Sequence, residues 1–138
     1  MATPFTRTIE RVISLFRATF ERAVILRREE RSDMALLEMS GDYGVYQVRL
    51  REIWLADGSR KYAYYVLYHS RVIVGFDNAS DPRALRLKYG EDYTSHRLEL
   101  IPHRHTVDKK AVELTPEMDC AAFVSWLKEN LPPTRIYP

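Results

Sequence analysis

A chain of 138 residues that is 46% hydrophobic and 29% charged fits one domain. Such a chain buries roughly two-thirds of the surface its unfolded form exposes, so folding need not depend on a disulfide or a metal. Its one cysteine, Cys120, excludes an intrachain disulfide and a Cys-rich structural metal site, and no apolar run approaches the roughly 18 residues that span a bilayer. A formal charge of +2 lies far from that of a strongly basic nucleic-acid-binding domain.

The charge is unevenly spread. Residues 1–32 carry seven Arg against four Glu, and residues 83–110 carry seven basic residues against four acids, a net +3 each. Residues 33–82 and 111–138 are each −2. The 16 Arg outnumber the 5 Lys. Arg offers a planar fork for phosphate and carboxylate, which admits nucleic acid or an acidic protein as a partner. Residues 1–10 have no apolar core of signal-peptide type, and the expected compartment is the cytoplasm.

In chain order, Thr6 or Thr8 is placed to cap a first helix whose Ile9, Val12, Ile13, Phe16 and Phe20 recur at three- and four-residue steps on one face. Arg7, Arg11, Arg17, Glu21 and Arg22 take the wet face. Residues 23–26 extend this helix or begin a strand, and the charged run 27–33 is expected to end that element. Residues 34–39 read as a short strand, followed by turn chemistry at Gly41, Asp42 and Gly44. Residues 45–55 alternate as a longer strand. Asp57-Gly58 is a hairpin signal. Tyr62, Tyr64, Val66 and Tyr68 then share one strand face, with Ala63, Tyr65, Leu67 and His69 on the other. A tight turn at Ser70-Arg71 leads into the β-branched run 72–76, read as a central strand.

Residues 82–90 read as irregular or a short helix, and 90–94 as an exposed loop. Residues 96–105 read as a further strand interrupted at Pro102, which disfavours a central position. A final helix is expected with Thr115 as N-cap, Pro116 at the first helical position, and Glu117 and Asp119 in the first turn. Its apolar stripe is Cys120, Phe123, Val124, Leu127 and Leu131, and Pro132-Pro133 stops it. The fold class is α+β: an antiparallel meander packed with an N-terminal and a C-terminal helix, in one domain over 1–138.

Three of the four histidines, His96, His103 and His105, lie within ten residues. On a strand, the spacing of His103 and His105 points both imidazoles to one side and Arg104 to the other. Two histidines and an arginine match, by residue type, the base, acid and cation of metal-independent RNA cleavage. His96, His103 and His105 with Asp77 would alternatively supply a metal-dependent nuclease, although their spacing fits no strong metal signature. Asp77-Asn78 follows an apolar strand, where the pair caps a turn, orients a histidine or meets a ligand at the sheet rim. Tyrosines on the sheet, Tyr62 and Tyr64 among them, either stack unpaired bases or serve as ordinary strand residues. Cys120 is expected in the core. The chain has no Gly-rich phosphate loop and no recognisable Ser–His–Asp motif.

Tyr62-Ala63-Tyr64, Gly75-Phe76-Asp77-Asn78-Ala79, Pro102-His103-Arg104-His105 and the helix that follows, in that order, resemble the TumE-like toxin family of prokaryotic toxin–antitoxin systems. The hairpin Leu55-Ala56-Asp57-Gly58-Ser59 resembles it as well, and the likeness covers about residues 45–130. The chain departs from the family pattern at Tyr65 and at Ser80-Asp81, where the family often has histidine. The resemblance implies a toxin, with a cognate antitoxin as partner. The expectation is action on RNA, with His103 and His105 as acid–base groups supported by His96 and Asp77, and with Arg104, Asn78, Tyr62, Tyr64 and Arg97 in binding. A homodimer is admitted; no cofactor, metal or membrane is expected. The rival readings are a non-catalytic binding module for protein or nucleic acid and the metal-dependent nuclease.

Overall fold

The computed structural model describes residues 2–133. The chain runs α1 (Thr6–Thr19), β1 (Glu21–Glu30), β2 (Met34–Tyr43), β3 (Tyr46–Leu55), β4 (Arg60–Tyr68), β5 (Arg71–Asp77), α2 (Pro82–Tyr89), β6 (His103–His105), β7 (Val112–Leu114) and α3 (Cys120–Asn130). All seven strands form one antiparallel sheet in sequence order, a pure meander. This is an α+β fold with an N-terminal helix, a C-terminal helix and a middle helix. None of the described helices is long and apolar enough to cross a membrane.

Strict alternation fixes which face is covered. Tyr46, Val48, Leu50, Glu52 and Trp54 of β3 and Tyr62, Tyr64 and Val66 of β4 are buried, while their odd-numbered neighbours are exposed or half-buried. Onto this face α1 lays Ile9, Ile13 and Phe16, and α3 lays Cys120, Phe123, Val124 and Leu127. Gly41 lies where α1 ends: a Cβ there would stand 2.9 Å from Phe20 Cβ, so only glycine lets the helix terminus sit this close.

Hairpin chemistry follows local rules. Asp57 accepts hydrogen bonds from Ser59 N at 2.8 Å and Ser59 Oγ at 2.6 Å, closing the β3–β4 turn. His69 and Ser70, at φ 47° and 66°, join β4 to β5 in the doubly left-handed geometry that suits the twist of a two-residue hairpin.

Several elements differ from the sequence expectation. β1 ends within the charged run 27–33, but only after Glu30, so residues 27–30 belong to the strand. Arg27 pairs with Glu29 at 2.8 Å, and Arg28 reaches Glu10 of α1 at 2.8 Å and Glu30 at 2.9 Å, so an edge strand tolerates the charges. Gly41 and Asp42 lie within β2, and the turn falls at Gly44-Val45. Neither Thr6 nor Thr8 caps α1; Phe5 occupies the cap without a side-chain hydrogen bond, and Thr6 Oγ1 instead donates to Glu30 at 2.6 Å. Residues 90–96 form a 3₁₀ turn and only 103–105 form the strand. Pro102 precedes that strand, which lets β6 lie between β5 and β7.

The start of α3 also moves. Its cap is Asp119, which accepts from Ala122 N at 2.8 Å, not Thr115. Residues 115–118 are held outside the helix by tertiary contacts. Thr115 N donates to the Pro102 carbonyl at 3.3 Å, Met118 N to Tyr62 Oη at 3.1 Å, and the Arg60 guanidinium to the Met118 carbonyl. Those bonds outweigh a Thr-Pro helix start that local chemistry alone would favour.

Candidate functional site on the open face

The face away from α1 and α3 carries Arg49, Arg51 and Ile53 of β3, Lys61, Ala63 and Tyr65 of β4, Gly75 and Asp77 of β5, and His103 and His105 of β6. Register places them in two rows across the sheet: Arg51, Ala63, Asp77, His103 and Arg49, Tyr65, Gly75, His105. At the β6–β7 end α2 closes over this face. Its Ala84 and Leu85 pack with Ile101 and Val112 in a small cluster separate from the main core.

Under that cover Asp77, His103 and His105 meet. His103 Nε2 lies 3.1 Å from Asp77 Oδ1, His105 Nε2 lies 2.9 Å from Asp77 Oδ2, and the two Nε2 atoms are 3.2 Å apart. His103 Nδ1 is 2.6 Å from the Ile101 carbonyl, which can only accept, so the ring proton resides on Nδ1. Tyr65 Oη donates to Asp77 Oδ2 at 2.7 Å, and the Ala79 amide donates to Asp77 Oδ1 at 3.0 Å. Asp81, the cap of α2, brings Oδ2 to 4.0 Å from His103 Nε2. The relative exposures are 0% for His103, 5% for His105 and 7% for Asp77.

Electrostatics follow from this packing. Burial pushes the Asp77 carboxyl upward, but hydrogen bonds from His103, His105 and Tyr65 overcome it and hold the group well below the usual carboxylate range. Burial opposes charge on His103; the bond to Asp77 and the Ile101 carbonyl reverse that effect and raise its pKa. Burial, then the Asp77 charge, push the Tyr65 hydroxyl up, so it remains a donor. The cluster is an anionic carboxylate framed by hydrogen-bond donors and imidazoles.

Beyond Asp77 the face opens. A hollow of about 250 Å³ is lined by Arg51, Ile53, Lys61, Ala63, Asp77 and Asn78. It shares Arg51 and Ala63 with a second hollow of about 290 Å³ that reaches Arg49, Tyr65 and Leu26. Arg51 is 3.5 Å from Glu38; Arg49 and Lys61 form no ion pair among the described residues. Lys109 Nζ sits 4.7 Å from the centre of the Tyr65 ring.

The sequence-predicted residues divide. Asp77, His103 and His105 come together. His96 does not join them: it stacks on Tyr89 with ring centres 3.6 Å apart and bonds Glu99 at 3.0 Å. Arg97 is exposed in the same 3₁₀ region. Arg104 points to the other face, as strand alternation requires, where it pairs with Glu113 and stands 5.9 Å from the centre of the Trp126 ring. Tyr62 and Tyr64 are not stacking platforms. Even-numbered positions of β4 face the core, where Tyr62 stacks on Tyr64 and Tyr64 on Phe123. Asn78 is a buried latch: its Oδ1 accepts from Tyr62 N at 3.0 Å and its Nδ2 donates to the Arg60 carbonyl at 2.8 Å.

Sequence reasoning missed Tyr65, Ile101, Asp81 and the row Arg49, Arg51, Lys61. One signal was available. Gly75 interrupts an otherwise β-branched and aromatic strand, and such a glycine marks a close approach. Here a Cβ would stand 2.2 Å from the Tyr65 ring, which lies over Gly75 to reach Asp77.

No protein-family model matches the chain, and neither a curated protein nor a solved structure matches it.

Proposed function

We propose that the chain is the toxin of a prokaryotic toxin–antitoxin pair and that it engages single-stranded RNA on the open face of its sheet. The observation that carries the RNA reading is the groove of Arg49, Arg51 and Lys61, uncovered by any described helix and ending at Asp77. Among the described residues two of those cations lack an acidic partner, and exposed arginine and lysine in a groove are what a phosphate backbone meets. The toxin assignment rests on the motif order of the TumE-like family, and a cognate antitoxin would cover the same face.

Burial refines the chemistry. A general acid or base must come within hydrogen-bond reach of the group it serves. His103 and His105 lie behind Asp77, beneath α2 and the Tyr65 ring, so within this reading they fix the charge and position of Asp77. That favours binding of RNA at the groove over direct histidine acid–base cleavage.

Fluorescence anisotropy with a labelled single-stranded RNA tests the groove. Arg49→Glu with Lys61→Glu is expected to weaken binding at least about tenfold at low salt and to flatten the salt dependence by about 0.7 per lost phosphate contact. Equal affinity in the double variant sinks the RNA face. Induced expression in bacteria tests the toxin assignment: growth arrest supports it, and normal growth with abundant folded protein removes it.

A further inference from the structure

We infer that Asp77, His103 and His105 form a binding site for one divalent transition-metal ion of the zinc type. The site goes beyond the groove reading and does not depend on it.

The geometry carries the inference. Zinc binds imidazole nitrogen at about 2.0–2.1 Å and carboxylate oxygen at about 2.0–2.2 Å, so neighbouring donors of a tetrahedral set lie roughly 3.3 Å apart. The two Nε2 atoms are 3.2 Å apart, and each faces its own Asp77 oxygen, His103 at 3.1 Å from Oδ1 and His105 at 2.9 Å from Oδ2; taking one donor atom from each residue, all three lie within 4.8 Å of one another. All three side chains belong to strand positions whose register is fixed by the sheet: Asp77 pairs directly with His103, and His105 stands two residues along on the same face. The donors are therefore preset by backbone hydrogen bonds.

The direction of the lone pairs agrees. The Ile101 carbonyl takes the Nδ1 proton of His103, so Nε2 is the ring nitrogen turned toward Asp77 and His105. Both Nε2 atoms and both Asp77 oxygens converge on one largely buried point, where a bound cation could replace the shared protons. A carbonyl on the far ring nitrogen and a hydroxyl on the carboxylate are the outer hydrogen bonds that orient metal-binding histidine and aspartate; Ile101 and Tyr65 supply both. Among the described residues His105 Nδ1 is buried with no hydrogen-bond partner, so the engaged nitrogen of that ring is Nε2. Two imidazoles with one carboxylate suit zinc-type ions and not magnesium. Three protein donors leave a further position, toward which Asp81 stands nearest among the remaining carboxylates.

The ion would tie β5 to β6 beneath α2 and complete a closed polar core. The direct test is calorimetric titration of the metal-stripped full chain with Zn²⁺, alongside the visible absorption of Co²⁺. Expected are one equivalent bound, Co²⁺ bands of a low-coordinate site, and a raised melting temperature. His103→Ala and His105→Ala should abolish saturable binding, and Tyr65→Phe should weaken it about tenfold or more. Should the histidine variants fail to fold, the titration of the unaltered chain and the Tyr65→Phe series still decide. Absence of a one-to-one Zn²⁺ isotherm, or binding that survives loss of either histidine in a folded chain, overturns the site. Metal binding without RNA affinity would uphold the site and remove the groove reading; RNA affinity with no metal binding would do the reverse.

Discussion

The two faces of this sheet are built from the same strands and solve opposite problems. The covered face places Tyr64, Phe76 and Val66 against Phe16 and Phe123, and it buries an ion pair near its rim, Glu52 with Arg60 at 2.5 Å. The open face places arginine and lysine in water and sinks one carboxylate and two histidines under α2. The covered face is sealed by apolar area, so its contributions are large and tolerant of chemistry of similar volume. The polar cluster is held by a few directional contacts, so small changes of geometry matter there more than volume does.

The largest expected effect lies on the covered face. Phe123 is fully buried, stacks on Tyr64 and meets Phe76 edge-on. Phe123→Ala should cost about 3–5 kcal/mol in urea denaturation. The folded fraction should bind RNA as before; a loss of affinity parallel to the loss of stability would mean the faces are not separable.

A smaller effect should appear where the faces communicate. Gly75→Ala forces a Cβ into the Tyr65 ring and should cost about 1–3 kcal/mol. It should also displace the Tyr65 hydroxyl from Asp77, so metal affinity should fall by more than in Tyr65→Phe. Unchanged stability would show that the ring can move aside freely.

The smallest concerns the edge of the sheet. Glu30 accepts from Thr6 at 2.6 Å, from Thr3 at 3.0 Å and from Arg28 at 3.0 Å, and these bonds, Thr6 foremost, hold its carboxyl below the ordinary value of 4.5. A lowered folded-state pKa means the unfolded chain takes up the proton first. The stabilisation is therefore present above about pH 4.5 and is lost as the pH falls toward the folded-state value. Glu30→Gln should flatten the acid limb of melting temperature against pH by a small amount, with little change at neutral pH. A steep acid limb that persists unaltered would assign it to other carboxylates.

Much of the sheet was legible because its signals are local. Alternation at 45–55 and from Tyr62 to Tyr68, the Asp57-Gly58 turn and the stripe Cys120, Phe123, Val124, Leu127 each involve residues a few positions apart, and each appears in the structure, although His69, read as the end of that alternation, lies in the turn. Charge misled at 27–30, where a strand was not expected, because one of the two partners that neutralise Arg28, Glu10, lies on another element. Thr115-Pro116 misled for a similar reason: the Tyr62 hydroxyl, 56 residues away in sequence, holds Met118 out of the helix.

The site divides in the same way. By itself the sequence determined that His103 and His105 share a strand face and that Asp77 ends the preceding long strand, because a period of two and an apolar run are written in the order of residues. Only the tertiary structure decided that Asp77 pairs with His103, that His96 goes to Tyr89 and Glu99, and that Tyr62 and Tyr64 turn inward while Tyr65 crosses Gly75. Those outcomes depend on strand register and on which face the helices cover. Both are settled by burying the α1 and α3 stripes against one side of the sheet, a free energy shared by the whole chain and carried by no single motif.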